Sequence, residues 1–494
     1  MKFIPTFAAL LLANTIYADY SACRTLPVDG ETGRCMLYHD NGQLKYGHPP
    51  PRGCLKTSAW ALRPQKRWKT SQAIAQQPWS DSLQFPGAIH SKFTTSLQFA
   101  STDPKDAMPT FRIMDAEGQI VDSSRAPVDI SPEEITKMYL DMLTVSVMDP
   151  IMQQAQRQGR LSFYMNSAGE EGIGVGSASA LSSEDTIFLQ YRETGVFQYR
   201  GFRLEEFMNQ LFANAKDHGS GRNMPVHYGS RDLNIHTISS PLATQLPQAS
   251  GAAYALKIQH LQNPTTVPKK VVACFFGDGA ASEGDFHAAL NIAATRSCPV
   301  IFLCRNNGYA ISTPTLEQYR GDGIASRGVG YGIDTIRVDG NDIFAVREAT
   351  LKARELALTG EMRPVLIEAM SYRVAHHSTS DDSTKYRSGH EIETWRRRDN
   401  PITRLRKWME REGLWDEARE KEAQDSIKKE VMKAFNEAER EKRPRLGNLF
   451  EDVYEEITEE QREQMASLRR TIEMYPDEYD VDQFEGGLNG LDRR

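Results

Sequence analysis

Long apolar runs are missing from this sequence. No stretch approaches the ~18 consecutive apolar residues that span a bilayer, so a membrane is not an expected partner. An excess of positive charge is missing too. The formal net charge of −7 offers no basic field for nucleic acid. The six cysteines, at 23, 35, 54, 274, 298 and 304, include no Cys-x-x-Cys pair, which withdraws support from zinc and thioredoxin-like readings. Cys274, Cys298 and Cys304 fall in or beside apolar runs of the interior type, where reduced cysteine is common, and this favours a reducing compartment. His218, His227, His236, His376 and His377 lack metal-ligand spacing. There is no Walker-type phosphate loop, no Gly-x-Ser-x-Gly elbow and no internal repeat. The run from Gly172 to Ser177 resembles a dinucleotide fingerprint, but Ser177 stands where its last glycine belongs. No clear strand precedes it, so it reads as helix packing near the active site.

Acidic residues nearly vanish from one segment. Between Asn41 and Thr102 the only acid is Asp81, while Lys45, Arg52, Lys56, Arg63, Lys66, Arg67, Lys69 and Lys92 are basic and Ser, Ala and Gln are frequent. That is the composition of a mitochondrial transit peptide, and it implies the mitochondrial matrix. Met1 to Ala18, taken alone, looks instead like a secretory signal. A true start near Met36 reconciles the two, with residues 1–35 a doubtful addition. The expected division is a presequence over 1–85 outside the fold, a main domain over 86–400 and a helical extension over 401–494.

What is present in the body is alternation. Short apolar runs at Ile187–Gln190, Val271–Phe276, Val300–Cys304, Thr335–Val338 and Pro364–Ala369 read as buried strands. Helical stretches at Glu205–Ala215, Ala243–His260 and Ile343–Leu358 lie between them, and Phe286, Ala289, Leu290, Ala293 and Ala294 recur at helical spacing. The pattern predicts an α/β fold with a doubly wound, mostly parallel sheet flanked by helices. After about Asn400 the chain turns to charge-rich helices. Ile427, Val431, Met432, Phe435 and Ala438 form an apolar stripe, either packed on the chain's own domain or docking another subunit.

The chemistry concentrates around Gly277-Asp278-Gly279 and Asn306-Asn307. Each follows an apolar strand candidate, and the unit between them reads strand, helix, strand. Asp278 and Asn307 then lie just past the carboxyl ends of parallel strands, where open α/β sheets bind ligands. Asp278 offers an anionic oxygen and Asn307 an amide oxygen, the hard donors that Mg²⁺ shares with substrate phosphates. Glycines beside Asp278 permit close approach of a diphosphate, and a helix start capped by Ser282 would offer it free N–H groups. For the Gly-Asp-Gly alone, a simple βα turn is the plainer reading. The Asn-Asn behind a second strand tips the balance.

Together these motifs resemble the thiamine diphosphate signature of the 2-oxoacid dehydrogenase family. The resemblance extends over roughly 100–480 and includes Gln190-Tyr191-Arg192-Glu193, the stretch Ile238 to Gln245, Arg305 to Thr313 and the loop His376 to Ser388. It is to the α chains, and more to the branched-chain than to the pyruvate type. It implies Mg²⁺ ligation by Asp278, Asn307 and the Tyr309 carbonyl. It assigns Gln190, Tyr191, Arg192, Gly277, Gly279, Ala280 and Arg305 to the diphosphate, Ser240 and Leu242 to the aminopyrimidine, and Ser239, Pro241, Thr244 and Gln245 to a potassium ion. His377 is the implied catalytic histidine at the cofactor, and Ser378 and Ser388 match two phosphorylated serines. The implied reaction is decarboxylation of a 2-oxoacid, with the acyl group passed to a lipoyl group on an acyltransferase core under a regulatory kinase and phosphatase. The glutamate that activates the aminopyrimidine has no candidate within Gly277–Asn307, which implies that a β subunit supplies it in an α₂β₂ assembly. The runner-up readings are a pyruvate-type α chain and a catalytically silent scaffold.

Overall fold

Buried strand and amphipathic helix alternate through this chain, and the sheet they build follows from which residues face which side. The computed structural model describes residues 106–492, residues 96, 97 and 99, and the backbone of three short strands nearer the start. Those strands, Ser21–Cys23 (β1), Cys35–Tyr38 (β2) and Leu44–His48 (β3), pair antiparallel in a sheet of their own. Most of the presequence expected over 1–85 lies outside the described residues.

The main unit holds a six-stranded sheet. Its strands are Thr110–Phe111 (β4), Thr186–Phe188 (β5), Val272–Gly277 (β6), Val300–Asn306 (β7), Asp334–Asp339 (β10) and Val365–Met370 (β11). A two-residue hairpin, Tyr309–Ala310 (β8) with Thr313–Pro314 (β9), follows β7. The sheet order is β4-β10-β11-β7-β6-β5, and every pairing in it is parallel. Strand alternation explains the continuous apolar runs. Ala273 and Phe275 of β6, Ile301 and Leu303 of β7 and Ile367 of β11 join one core cluster. Val272, Cys274 and Phe276, then Val300, Phe302 and Cys304, then Leu366, join the other. Both faces are therefore covered.

The helices are, in order, Pro132–Arg157 (α1), Glu171–Ala178 (α2), Thr194–Arg200 (α3), Leu204–Leu211 (α4), Gln245–Gln262 (α5), Gly284–Arg296 (α6), Thr315–Gln318 (α7), Ala325–Gly330 (α8), Ile343–Leu358 (α9), Gly389–Arg398 (α10), Pro401–Arg411 (α11), Glu417–Arg440 (α12) and Glu459–Met474 (α13). Residues of α1, α2, α9, α11 and α12 line the first core, and those of α5 and α6 the second. The expected doubly wound α/β architecture is what the chain adopts. Among the described residues, no helix is long and apolar enough to cross a membrane.

Local chemistry sets the helix starts. Ser131 caps α1 by accepting from Glu134 N at 3.2 Å, with Pro132 opening the helix. Asp342 caps α9 through Phe344 N and Ala345 N, and its other oxygen accepts from Ile113 N at 2.7 Å and Met114 N at 2.6 Å. One carboxylate thus starts a helix and fastens the segment that leaves β4.

Two expectations need correction. Ser282 does not cap α6. A 3₁₀ turn, Ala280–Ser282, intervenes, the extended Glu283 precedes the helix, and the Ser282 hydroxyl donates to Gln318 Oε1 at 2.9 Å. The helix expected over Glu205–Ala215 stops at Leu211, because Ala213 turns to φ +51°. The stripe on α12 packs into the chain's own core through Ile427, Val431, Ala434, Phe435 and Ala438, with Met432 at the edge of that face.

Candidate active site

Four points of the candidate site, from Gln190 to Arg373, hang from the carboxyl end of a parallel strand or from the loop behind one. Gln190 follows β5, Asp278 follows β6, Asn306 ends β7 with Asn307 next, and Arg373 follows β11. Strand pairing sets Gly277 opposite Arg305 and Met370 opposite Asn306. Register alone therefore brings the Gly-Asp-Gly and Asn-Asn motifs to one edge. Gln190 reinforces it by accepting, on its Oε1, from Gly277 N at 2.8 Å.

Asp278 is buried, and burial pushes its carboxyl above the usual range, with Arg305 opposing. Gln318 Nε2 donates to its Oδ2 at 3.1 Å. Asn307 donates through Nδ2 to Glu170 Oε1 at 3.0 Å, and its Oδ1 accepts from Tyr309 N at 3.3 Å. Gly308 lies between them at φ +87°, a conformation that favours glycine and turns the chain into the hairpin. The Tyr309 carbonyl accepts from Arg373 NH1 at 3.3 Å. Gly279 packs against that hairpin; a Cβ there would meet Ala310 Cβ at 3.1 Å. Ala280 is buried at the start of the 3₁₀ turn.

The basic side chains are arranged less simply than expected. Arg305 is 4% exposed and is held by Glu193 at 2.7 Å and Glu170 at 2.9 Å. Burial opposes its charge, but the two carboxylates outweigh burial and hold it protonated. Its fork is thus engaged within the protein, under Gly277. Arg192 donates to the Asn166 carbonyl at 2.7 Å and to the carbonyl of His377, and lies 3.1 Å from His377 Nδ1. The Tyr191 ring meets the His377 ring edge-on at 6.2 Å. Burial, then Arg192, then Arg373 hold the His377 imidazole down at about 3. Arg192 and Arg373 thus flank a histidine that stays neutral, while Glu170 and Glu193 hold Arg305 beside them. Such a donor set is complementary to a polyanion.

The loop behind β11 is tied at several points. His377 N donates to Asp381 Oδ2 at 2.7 Å, and Tyr386 OH donates to the same oxygen at 2.6 Å. His376 Nδ1 lies 2.9 Å from Ser383 Oγ, and Arg387 donates to the carbonyls of Arg373 and Ala375. Ser378 accepts from Ser380 N at 3.1 Å. Ser388 is exposed and caps α10 by accepting from Glu391 N at 3.1 Å. Glu391 in turn accepts from Tyr309 OH at 2.9 Å and Tyr372 OH at 2.7 Å.

In the segment before α5, the Thr244 hydroxyl lies 3.1 Å from both Ser239 Oγ and the Pro241 carbonyl, so three oxygens cluster in one turn. Gln245 points inward and donates to the Phe275 carbonyl at 2.9 Å. Leu242 is half-buried on the second core. Ser240 Oγ lies 2.8 Å from Nε2 of the buried His227.

Sequence reasoning missed Glu170, Gln318 and the pairing role of Glu193. Glu170 and Glu171 are adjacent acids opening a helix that is buried throughout, and that juxtaposition was a readable signal. Gln318 carries no such mark, because only the hairpin fold brings it to Asp278.

The chain matches the family described as "Dehydrogenase E1 component" over residues 139–446. It is 52% identical over 405 residues to a mouse protein called 2-oxoisovalerate dehydrogenase subunit alpha, mitochondrial, covering 82% of this chain and 89% of that one. A human protein of the same name is likewise 52% identical over 82% of this chain and 89% of its own length. A thale cress protein, the subunit alpha 2, is 48% identical over 91% of this chain and 92% of its own.

Proposed function

From the premise that the chain belongs to the dehydrogenase E1 component family, we infer that it is the α subunit of a mitochondrial branched-chain 2-oxoacid dehydrogenase. The family uses thiamine diphosphate and pairs α with β subunits. The observation that carries the local reading is the register that brings Asp278 and Asn307 to the carboxyl ends of adjacent parallel strands.

The residues fit the group. Asp278, Asn307 and the Tyr309 carbonyl are a hard-oxygen set that would hold Mg²⁺ against a diphosphate. Gln190, Tyr191 and Arg192, with Gly277, Gly279 and Ala280, would form its cradle. Arg305, tied to Glu193 and Glu170, contributes field and rigidity there. Leu242 and Ser240 would face the aminopyrimidine. Ser239, Pro241, Thr244 and Gln245 would hold K⁺. When bound, thiamine diphosphate supplies the nucleophile for the keto carbon and an electron sink for loss of CO₂. His377, neutral and with Nδ1 accepting from Arg192, would present its other ring nitrogen as an N–H donor near the diphosphate. The loop from His377 to Ser388, at the mouth of the site, is the surface a lipoyl-bearing partner would meet and where a kinase and phosphatase would act on Ser378 and Ser388.

The test is steady-state decarboxylation by the reconstituted α/β pair, with the 2-oxoacids of valine, leucine and isoleucine set against pyruvate. A pocket fitted to the branched chain discriminates by about 10–200-fold per well-buried methylene. Preference for pyruvate would restore the pyruvate-type reading. No turnover, with cofactor unbound, would restore the silent scaffold.

A further inference from the structure

Glu170 is 3% exposed and stands immediately before α2. One oxygen accepts a hydrogen bond, and the other stands in an ion pair without one. Oε1 accepts from Asn307 Nδ2 at 3.0 Å, and Oε2 lies 2.9 Å from Arg305 NH1. A carboxylate has acceptors only, whereas a carboxamide has one accepting and one donating end. With Glu170 beside it, the Asn307 amide has one favourable orientation. Its NH₂ turns to the carboxylate, and its oxygen turns away, where it accepts from Tyr309 N. The reversed amide would set oxygen against oxygen in a buried place, which is costly. Arg305, itself buried, supplies the positive charge that a buried carboxylate needs.

We propose that Glu170 is a positioning residue for the metal site: it fixes the amide orientation of Asn307, so that Asn307 presents oxygen rather than nitrogen to a divalent cation. This rests on the reading of Asn307 as a cation ligand given above. Glu170 touches neither cofactor nor substrate in this role. It acts through Asn307, and Arg305 acts through Glu170. The ion pair and the ligand orientation are then one device, which explains why a basic residue beside the Asn-Asn motif is engaged by acids instead of being left free for phosphate.

The test is a double-mutant cycle on the assembled α/β protein, read as Mg²⁺ affinity by calorimetric titration at fixed thiamine diphosphate, with Mn²⁺ and its electron paramagnetic resonance signal as a second probe. Glu170→Gln, which offers an NH₂ as readily as an oxygen, is expected to weaken Mg²⁺ binding by about tenfold or more. Asn307→Asp alone is expected to weaken it as well, because it sets carboxylate against carboxylate. The double variant, Glu170→Gln with Asn307→Asp, is expected to recover most of the affinity. A carboxylate at position 307 has no wrong end, and the carboxamide introduced at position 170 can donate to it. A role in packing alone produces no such reversal of sign. If Glu170→Gln fails to assemble, the comparison of Asn307→Asp with the double variant decides the same question. Unchanged affinity in Glu170→Gln, or a double variant no better than Asn307→Asp, overturns the proposal. Loss of Mg²⁺ dependence in the parent protein itself would instead overturn the metal reading on which it rests.

Discussion

Asp278 is the one charged side chain among the three expected cation ligands, and it is nearly buried. Asp278→Ala should therefore leave no calorimetrically measurable Mg²⁺-dependent affinity for thiamine diphosphate. Near-normal binding would remove Asp278 from the metal site. A second residue-scale outcome concerns Glu171, whose carboxyl burial pushes up to about 8, with Asp149 and Glu170 adding to the effect. The same carboxyl in an unfolded chain titrates near 4.5. Between those values the native protein keeps a proton that the unfolded chain has lost. The stability this contributes is complete below the lower value and is lost as pH rises through the upper one. Glu171→Gln can keep the hydrogen bond from Gly169 N, 2.9 Å away in the parent, and abolishes the titration. Its melting temperature relative to the parent assembly should climb from pH 6 to pH 9. Parallel curves would show that Glu171 is ionised when folded. At this scale the sequence was legible where a residue's neighbours in the chain explain it. Asp278 and Asn307 could be read because each follows its own strand. Glu170 could be marked by the buried run it opens, but not its partners Asn307 and Arg305, which it meets only in the finished fold.

The loop behind β11 and the helix α10 form one element with two serines in different settings. Ser378 adjoins His377 within a turn already carrying Asp381 and Asp382. A phosphate there adds about −1.5 to −2 charges beside a diphosphate site, and repulsion should loosen the loop. Ser378→Glu is expected to lower overall activity with the lipoyl-bearing partner by about an order of magnitude or more, with faster limited proteolysis of the loop. Full activity and a resistant loop would end the switch reading. Ser388 is an N-cap, where negative charge meets the positive end of a helix. Ser388→Glu should cost far less activity. Ser388→Ala, by removing the cap, should destabilise α10 by about 1 kcal/mol, measurable as faster local hydrogen exchange around Glu391. Elements read best where both faces were apolar. Five of the six strands of the sheet emerged close to their expected bounds, the edge strand β4 being unforeseen, and α9 matched its expected Ile343–Leu358. The 26-residue α1 was not foreseen. Its buried face mixes Met, Tyr, Thr and Asp with aliphatics, and that composition blurs the period of 3.6.

At the scale of the molecule, the proposed reading has a β subunit supply the glutamate that activates the aminopyrimidine, so the chain by itself is expected to catalyse no 2-oxoacid decarboxylation. The one glutamate of the Gly277–Asn307 unit, Glu283, is exposed ahead of α6. Addition of the β subunit should restore turnover, and activity of the α chain alone would place that group somewhere in this sequence. The sheet order carries a consequence for how the protein comes into being. The strand β11, last in the chain to join the sheet, lies inside it, paired on one side with β10 and on the other with β7. Until it is inserted, the earlier strands stand as two separate pieces with open edges. Arg373 and His377 follow directly behind it. During synthesis, then, the site is completed late, when β11 brings Arg373 and His377 to the residues on β5, β6 and β7, and such long-range closure is slow and exposed to aggregation. A chain released before Val365 carries Gln190, Asp278 and Asn307 on the β5-β6-β7 piece but lacks Arg373 and His377. It offers instead the bare edges of β7 and β10, the kind of surface that chaperones and proteases recognise.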